Sequence, residues 1–136
     1  MNAIKDIMMN TDQITRFCDE WLEAWTGNSP DKLIGFYSSD AIYSDPSVHG
    51  SLKGHRHILP HFRKLLAGNP TWVWTREELF VTEKGFTLKW KARIPVGDAE
   101  IVEYGLDIVE IADFGITRNE VYFDRTQLLK SLQALK

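Results

Sequence analysis

Apolar residues Ile14, Phe17, Cys18, Trp21, Leu22 and Trp25 recur at spacings of three and four, which puts them on one stripe of a helix. Asp19, Glu20 and Glu23 fall on the other side. The pattern predicts an amphipathic helix over about 12–26, capped by Thr11 or Asp12 and ended by Gly27-Asn28. Ser29-Pro30-Asp31 opens a second helix: serine caps, and proline at the first helical position gives up no useful donor. Leu33, Ile34, Phe36 and Tyr37 keep it apolar over about 30–37. Ser38-Ser39-Asp40 then turns the chain into a short strand, 41–45, which Pro46 terminates because it has no N–H for a ladder. After the polar loop Ser47–Lys53, Gly54 precedes a third helix over about 55–67. Ile58, Phe62, Leu65 and Leu66 face inward on it, Arg63 and Lys64 face solvent, and Pro60 marks a first turn or a kink.

From Thr71 the period changes to two. Strands are predicted over about 71–81, 86–96, 100–112 and 115–124. The clearest alternation sets Phe86, Leu88, Trp90, Ala92 and Ile94 against Thr87, Lys89, Lys91 and Arg93. Ile101–Ile111 is apolar on both faces, so it belongs in the middle of a sheet, and Asp113-Phe114-Gly115 turns into the last strand. Leu128, Leu129 and Leu132 give the tail helical spacing. No internal repeat or composition shift divides the chain, so residues 1–136 read as one α+β domain with its core over about 12–130.

Composition narrows the class. Hydrophobic residues at 43% and charged residues at 26% suit a globular domain able to bury a core. Sixteen basic against nineteen acidic residues leave a net charge of −3, which disfavours a nucleic-acid partner. The single cysteine, Cys18, excludes an internal disulfide, and its place in the apolar stripe makes it a small hydrophobe. No apolar run approaches the ~18 residues a membrane span needs, and Met1–Asn10 lacks the continuous apolar stretch of a signal peptide. No membrane partner and a cytoplasmic location are therefore expected. His57 and His61 stand four apart, a spacing metal ligands use, with His49 and His55 nearby. Without a third ligand pattern a solvated or capping role is expected, and no metal or cofactor. Five tryptophans are many for this length and point to a large core or an aromatic-lined cavity; Trp21 and Trp25 fit either.

The run Phe36-Tyr37-Ser38-Ser39-Asp40-Ala41-Ile42-Tyr43-Ser44-Asp45-Pro46, followed by Gly54 and Ile58, resembles the SnoaL-like and ketosteroid-isomerase-like branch of the nuclear transport factor 2 superfamily. The resemblance extends from about Ile14 to Leu129. It implies a cone: a curved antiparallel sheet wrapped around three N-terminal helices, with a pocket inside and a homodimer formed through the sheet. It also carries a general-base aspartate onto Asp45 and a protonated, oxyanion-stabilising aspartate onto Asp107, the separated pair of ketosteroid isomerase that serves as a standard worked case. The tyrosine of that site falls on Trp21, which donates one N–H but lacks a phenol. An epoxide-hydrolase site does not map: its positions read Lys91-Ala92-Arg93 and Val121, leaving Asp124 structural.

The resemblance points Trp90, Ala92, Ile94, Asn119, Val121, Phe123 and Phe62 toward the pocket, with Trp21, Trp25 and Tyr43 as further candidates for substrate contact. A mostly apolar cavity with two carboxyls and one amide suits a flat, hydrophobic, carbonyl-bearing ligand. Two activities follow as expectations. One is cofactor-independent proton transfer by an isomerase, cyclase or dehydratase, with Asp45 as base and Asp107 and Asn119 stabilising the enolate. The other is a non-catalytic binding module for a small hydrophobic ligand. Without a site, Asp45 is a turn residue and Asp107 a carboxylate facing a lateral surface. Burial in one shared cavity raises both pKa values.

Overall fold

The computed structural model describes residues 9–113 and 115–135, so most of the N-terminal lead and Phe114 lie outside the described residues. Helix α1 spans Thr11–Glu23 and α2 Pro30–Ile34; strand β1 spans Tyr37–Ser44 and β2 Leu52–Lys53; helix α3 spans His55–Gly68. Strands β3 (Val73–Val81), β4 (Gly85–Val96), β5 (Ala99–Ala112) and β6 (Gly115–Tyr122) follow, and α4 (Thr126–Gln133) closes the chain. The strands form one curved, open sheet in the order β2-β1-β6-β5-β4-β3. Strand β5 lies between β6 and β4, in the interior that its doubly apolar sequence requires.

Five local expectations change. The cap of α1 is Asn10, not Thr11 or Asp12: its side chain accepts from the Gln13 N–H while Gln13 reaches back to the Asn10 N–H, a reciprocal capping box. The second helix stops at Ile34 instead of running through Tyr37. Tyr37 pairs with Ile116, and the Ile116 N–H donates to the Phe36 carbonyl at 2.8 Å, so a strand distant in sequence claims these residues. Ser38-Ser39-Asp40 is no turn but part of β1, where the register shifts between Tyr37 and Ile42. Finally, β1 runs parallel to β6, so the sheet is not wholly antiparallel, and the loop Ser47–Lys53 contains the short β2.

Helices and one sheet face enclose the core. Cys18, Trp21, Leu33, Ile58, Phe62 and Leu66 are buried from the helices, and Phe86, Leu88, Ile94, Val109 and Ile116 from the sheet. Each full burial of such a side chain contributes about 1.5–3 kcal/mol. Pro60 lies within α3, which nevertheless starts at His55. The outer face of β5 leaves Val102, Tyr104 and Leu106 exposed, with Tyr122 of β6 directly opposite Leu106.

Candidate functional site

Strand β1 ends at Ser44, and Asp45-Pro46 turns away from the sheet. Asp45 is therefore just past the strand, with its side chain only 7% exposed. Its Oδ1 accepts from the N–H and the hydroxyl of Ser47, at 2.7 and 2.6 Å. Its Oδ2 accepts from the Tyr43 hydroxyl at 2.7 Å and meets His61 Nε2 at 2.9 Å. A carboxylate only accepts, so Nε2 carries the His61 proton. Burial works against the Asp45 charge, but the bonds from His61, Ser47 and Tyr43 outweigh it and hold the carboxyl well below the usual range. That reverses the expected rise: the turn residues converge on Asp45 as donors, and burial alone does not decide its charge.

Asp107 occupies the middle of β5 opposite Leu88 and is buried. Trp90 Nε1 donates to its Oδ1 at 2.7 Å and Asn119 Nδ2 to its Oδ2 at 3.0 Å. The Tyr37 hydroxyl donates to Asn119 Oδ1 at 2.7 Å and accepts from Trp21 Nε1 at 3.0 Å. Trp21, Tyr37, Asn119 and Asp107 thus form one buried chain in which every donor points toward the carboxyl. Gly105 makes the Trp90 contact possible, since a Cβ there would fall inside the indole ring that crosses β5 opposite it. Burial pushes the Asp107 carboxyl up to about 7, against the lowering effect of Asn119 and Trp90 and with a small added push from the Asp45 charge.

Both carboxyls open onto one cavity of about 220 Å³. All five tryptophans line it: Trp21, Trp25, Trp72, Trp74 and Trp90. Of the expected contact residues, Tyr43, Ala92, Ile94, Val121 and Phe123 also line it. Phe62 and Asn119 do not. Phe62 packs behind Trp25 and Tyr43 with ring centroids 5.2 and 5.1 Å away, and Asn119 stands behind Asp107. Helix α4 closes one side with Leu128, Leu129 and Leu132, and Arg125 Nη2 ties its start to the Pro46 carbonyl at 3.0 Å.

His57 and His49 are exposed, and His55 Nε2 lies 2.7 Å from the Tyr37 carbonyl. With His61 on Asp45, the four histidines do not converge. Among the described residues no group of three or more His, Cys, Asp or Glu could hold a metal. Cys18 is fully buried, and burial pushes its thiol up to about 12. No helix among the described residues is long and apolar enough to cross a membrane.

Ser47, with its two bonds to Asp45, and His61, Trp72, Trp74 and Tyr37 were absent from the sequence-based site. His61 was legible in principle, because Ile58, His61 and Leu65 are spaced three and four apart, on the edge of the inward stripe. Trp72 and Trp74 share a strand face by their period of two. Tyr37 gave no local signal, since only the pairing with β6 turns it inward.

A family model described as a SnoaL-like domain matches residues 18–119. No curated protein matches the chain. Solved structures with the same fold include a protein of ketosteroid isomerase-like fold from Catenulispora acidiphila, in complex with trimethylamine: 17% identity, TM-score 0.75, covering 91% of this chain and 95% of that one. A SnoaL-like polyketide cyclase candidate from Shewanella putrefaciens shares 15% identity with a TM-score of 0.75, over 98% of this chain and 92% of that one. TerC, crystallised with polyporic acid, shares 11% identity with a TM-score of 0.73, over 88% and 98%. At these identities the likeness is one of fold.

Proposed function

The chain belongs to the SnoaL-like domain family, and on that premise we propose that its cavity binds a small, flat, apolar molecule bearing a carbonyl group. The observation that carries this is Asp107. Each of its oxygens already accepts one hydrogen bond, so a proton on the carboxyl takes a remaining lone-pair position and is offered to a ligand oxygen in a cavity walled by tryptophans. A cavity of about 220 Å³ has room for a fused bicyclic ketone. Neighbours of the fold solved with trimethylamine and with polyporic acid agree with a small-molecule role.

The test is a tryptophan-fluorescence titration with tetralone across pH 5 to 9. Affinity holds below about 6 and falls as pH passes about 7, where Asp107 loses its proton and its charge repels the carbonyl oxygen. Asp107→Asn, which keeps a donor and does not titrate, flattens that profile. Binding indifferent to pH in the native protein would sink the reading.

A second reading is enzymatic, and the split ionisation favours it. Between about pH 4 and 7 Asp45 is charged while Asp107 is protonated, a base and an acid in one cavity. Asp45 would take a proton next to the carbonyl, as an isomerase, cyclase or dehydratase requires. Its four hydrogen bonds make it a weak base, however, which weighs toward binding without turnover. Turnover of an enone panel, lost in Asp45→Asn, decides between the two. We also propose that a second copy covers Val102, Tyr104, Leu106 and Tyr122 on the outer sheet face; their exposure and the two-sided apolarity of β5 support this.

A further inference from the structure

Helix α4 bounds the cavity differently from its other walls. The sheet supplies Trp90, Ala92, Ile94 and Asp107 from strands that are hydrogen-bonded on both sides. Helix α1 supplies Trp21 and Leu22, part of a buried face that also includes Ile14 and Cys18. In α4 only Leu128 is buried. Among the described residues, nothing from Thr126 to Leu135 hydrogen-bonds to another helix or strand.

Leu128, Leu129, Leu132 and Leu135 share one side of the helix by their spacing. The first three line the cavity, yet Leu129 and Leu132 are 49% and 37% exposed, so the stripe covers the cavity without sinking into it. One contact holds each end. At the start, Arg125 Nη2 donates to the Pro46 carbonyl. At the far end Leu135 lies over Gly97, where a Cβ would come within 3.1 Å of its methyl. The helix thus crosses from the end of β1 to the turn between β4 and β5. Phe123 stays with the sheet, its ring centroid 5.3 Å from that of Trp90, which leaves exposed Asp124 and Arg125 as the joint.

We propose that α4 is a lid, jointed at Asp124-Arg125, that leaves the cavity to admit a ligand and closes over it. Eight residues fall short of the roughly 12–15 at which a helix becomes even marginally stable alone, so leaving the seat and unwinding are one event. A ligand that fills the cavity completes the seat, because Leu129 and Leu132 then cover apolar surface instead of water. Such a lid governs access to the cavity whichever molecule it takes.

The experiment combines amide hydrogen exchange with acrylamide quenching of the tryptophans, all five of which line the cavity. In the native protein, amides of α4 are expected to exchange at least about a hundredfold faster than those of β5, through an opening that leaves the sheet intact. Leu128→Ala is expected to speed α4 exchange by about tenfold or more and to increase quenching. Alanine is the better helix former, so lost propensity would not explain that result. Arg125→Ala, which cuts the tie to Pro46, should act in the same direction and serves if the first variant does not fold. Saturating tetralone should slow α4 exchange. Exchange in α4 as slow as in β5 overturns the lid. So does faster α4 exchange with quenching unchanged in both variants, or tetralone binding that leaves α4 exchange as it was. If tetralone does not bind, the carbonyl reading fails, while exchange and quenching still decide the lid.

Discussion

Replacing Asp107 with asparagine has an effect on stability that changes sign with pH. The native carboxyl titrates at about 7 against an ordinary value of 3.8, so folding favours its protonated form. That contribution is complete below about pH 4 and is lost as pH rises through about 7. The displacement is worth about 4 kcal/mol at 1.36 kcal/mol per pH unit. The asparagine has no such titration, but it cannot accept from both neighbours. Its amide nitrogen must face either Trp90 Nε1 or Asn119 Nδ2, both donors, at a cost of about 1–3 kcal/mol. Asp107→Asn is therefore less stable than native in acid and more stable at pH 8, with the curves crossing between about pH 4.5 and 6. Urea unfolding followed by tryptophan emission from pH 4 to 9 measures this directly. Parallel stability curves for the two proteins would refute the buried, proton-bearing carboxyl.

Tyr37→Phe leaves Trp21 Nε1 and Asn119 Oδ1 without partners and should cost about 1–3 kcal/mol for each group in urea unfolding. Gly105→Ala drives a methyl into the Trp90 ring, so near-ultraviolet circular dichroism should change and stability should fall by about 1–3 kcal/mol. Asp45→Asn should lose stability at pH 7 and show a smaller decline below about pH 4, because the native carboxylate's contribution is present above its ordinary value and is lost as pH falls. Leu106→Glu should turn a dimer into a monomer by light scattering, while a native protein already monomeric at micromolar concentration removes the dimer altogether.

The fold was readable where contacts are local and periodic. The stripe from Ile14 to Trp25 and the alternation from Phe86 to Ile94 specify which face each element buries, and turn residues mark most boundaries. What escaped depends on partners far away in sequence. Tyr37 looks like the end of a helix until β6 pairs with it, and Ser38-Ser39-Asp40 looks like a turn until the same pairing extends them. The ionisation of Asp45 was misjudged for a related reason. Its low exposure follows from position, but its charge depends on four donors, one of which comes from α3. Asp107 is flagged by its setting amid Leu106, Ile108 and Val109, but its place on the inner face came from the family resemblance, since the sequence alone also allows a carboxylate on a lateral surface.

The parallel seam between β1 and β6 governs when the chain can fold. Tyr37 waits for Ile116, roughly eighty residues later, and at roughly 5–20 residues per second a ribosome delivers that partner after about 4–16 s. During that interval Trp21, Trp25 and Phe62 have no β6 to complete the layer that covers them. A nascent chain halted before Gly115 has no route to the native sheet, and such a fragment would present its tryptophans to chaperones or to aggregation.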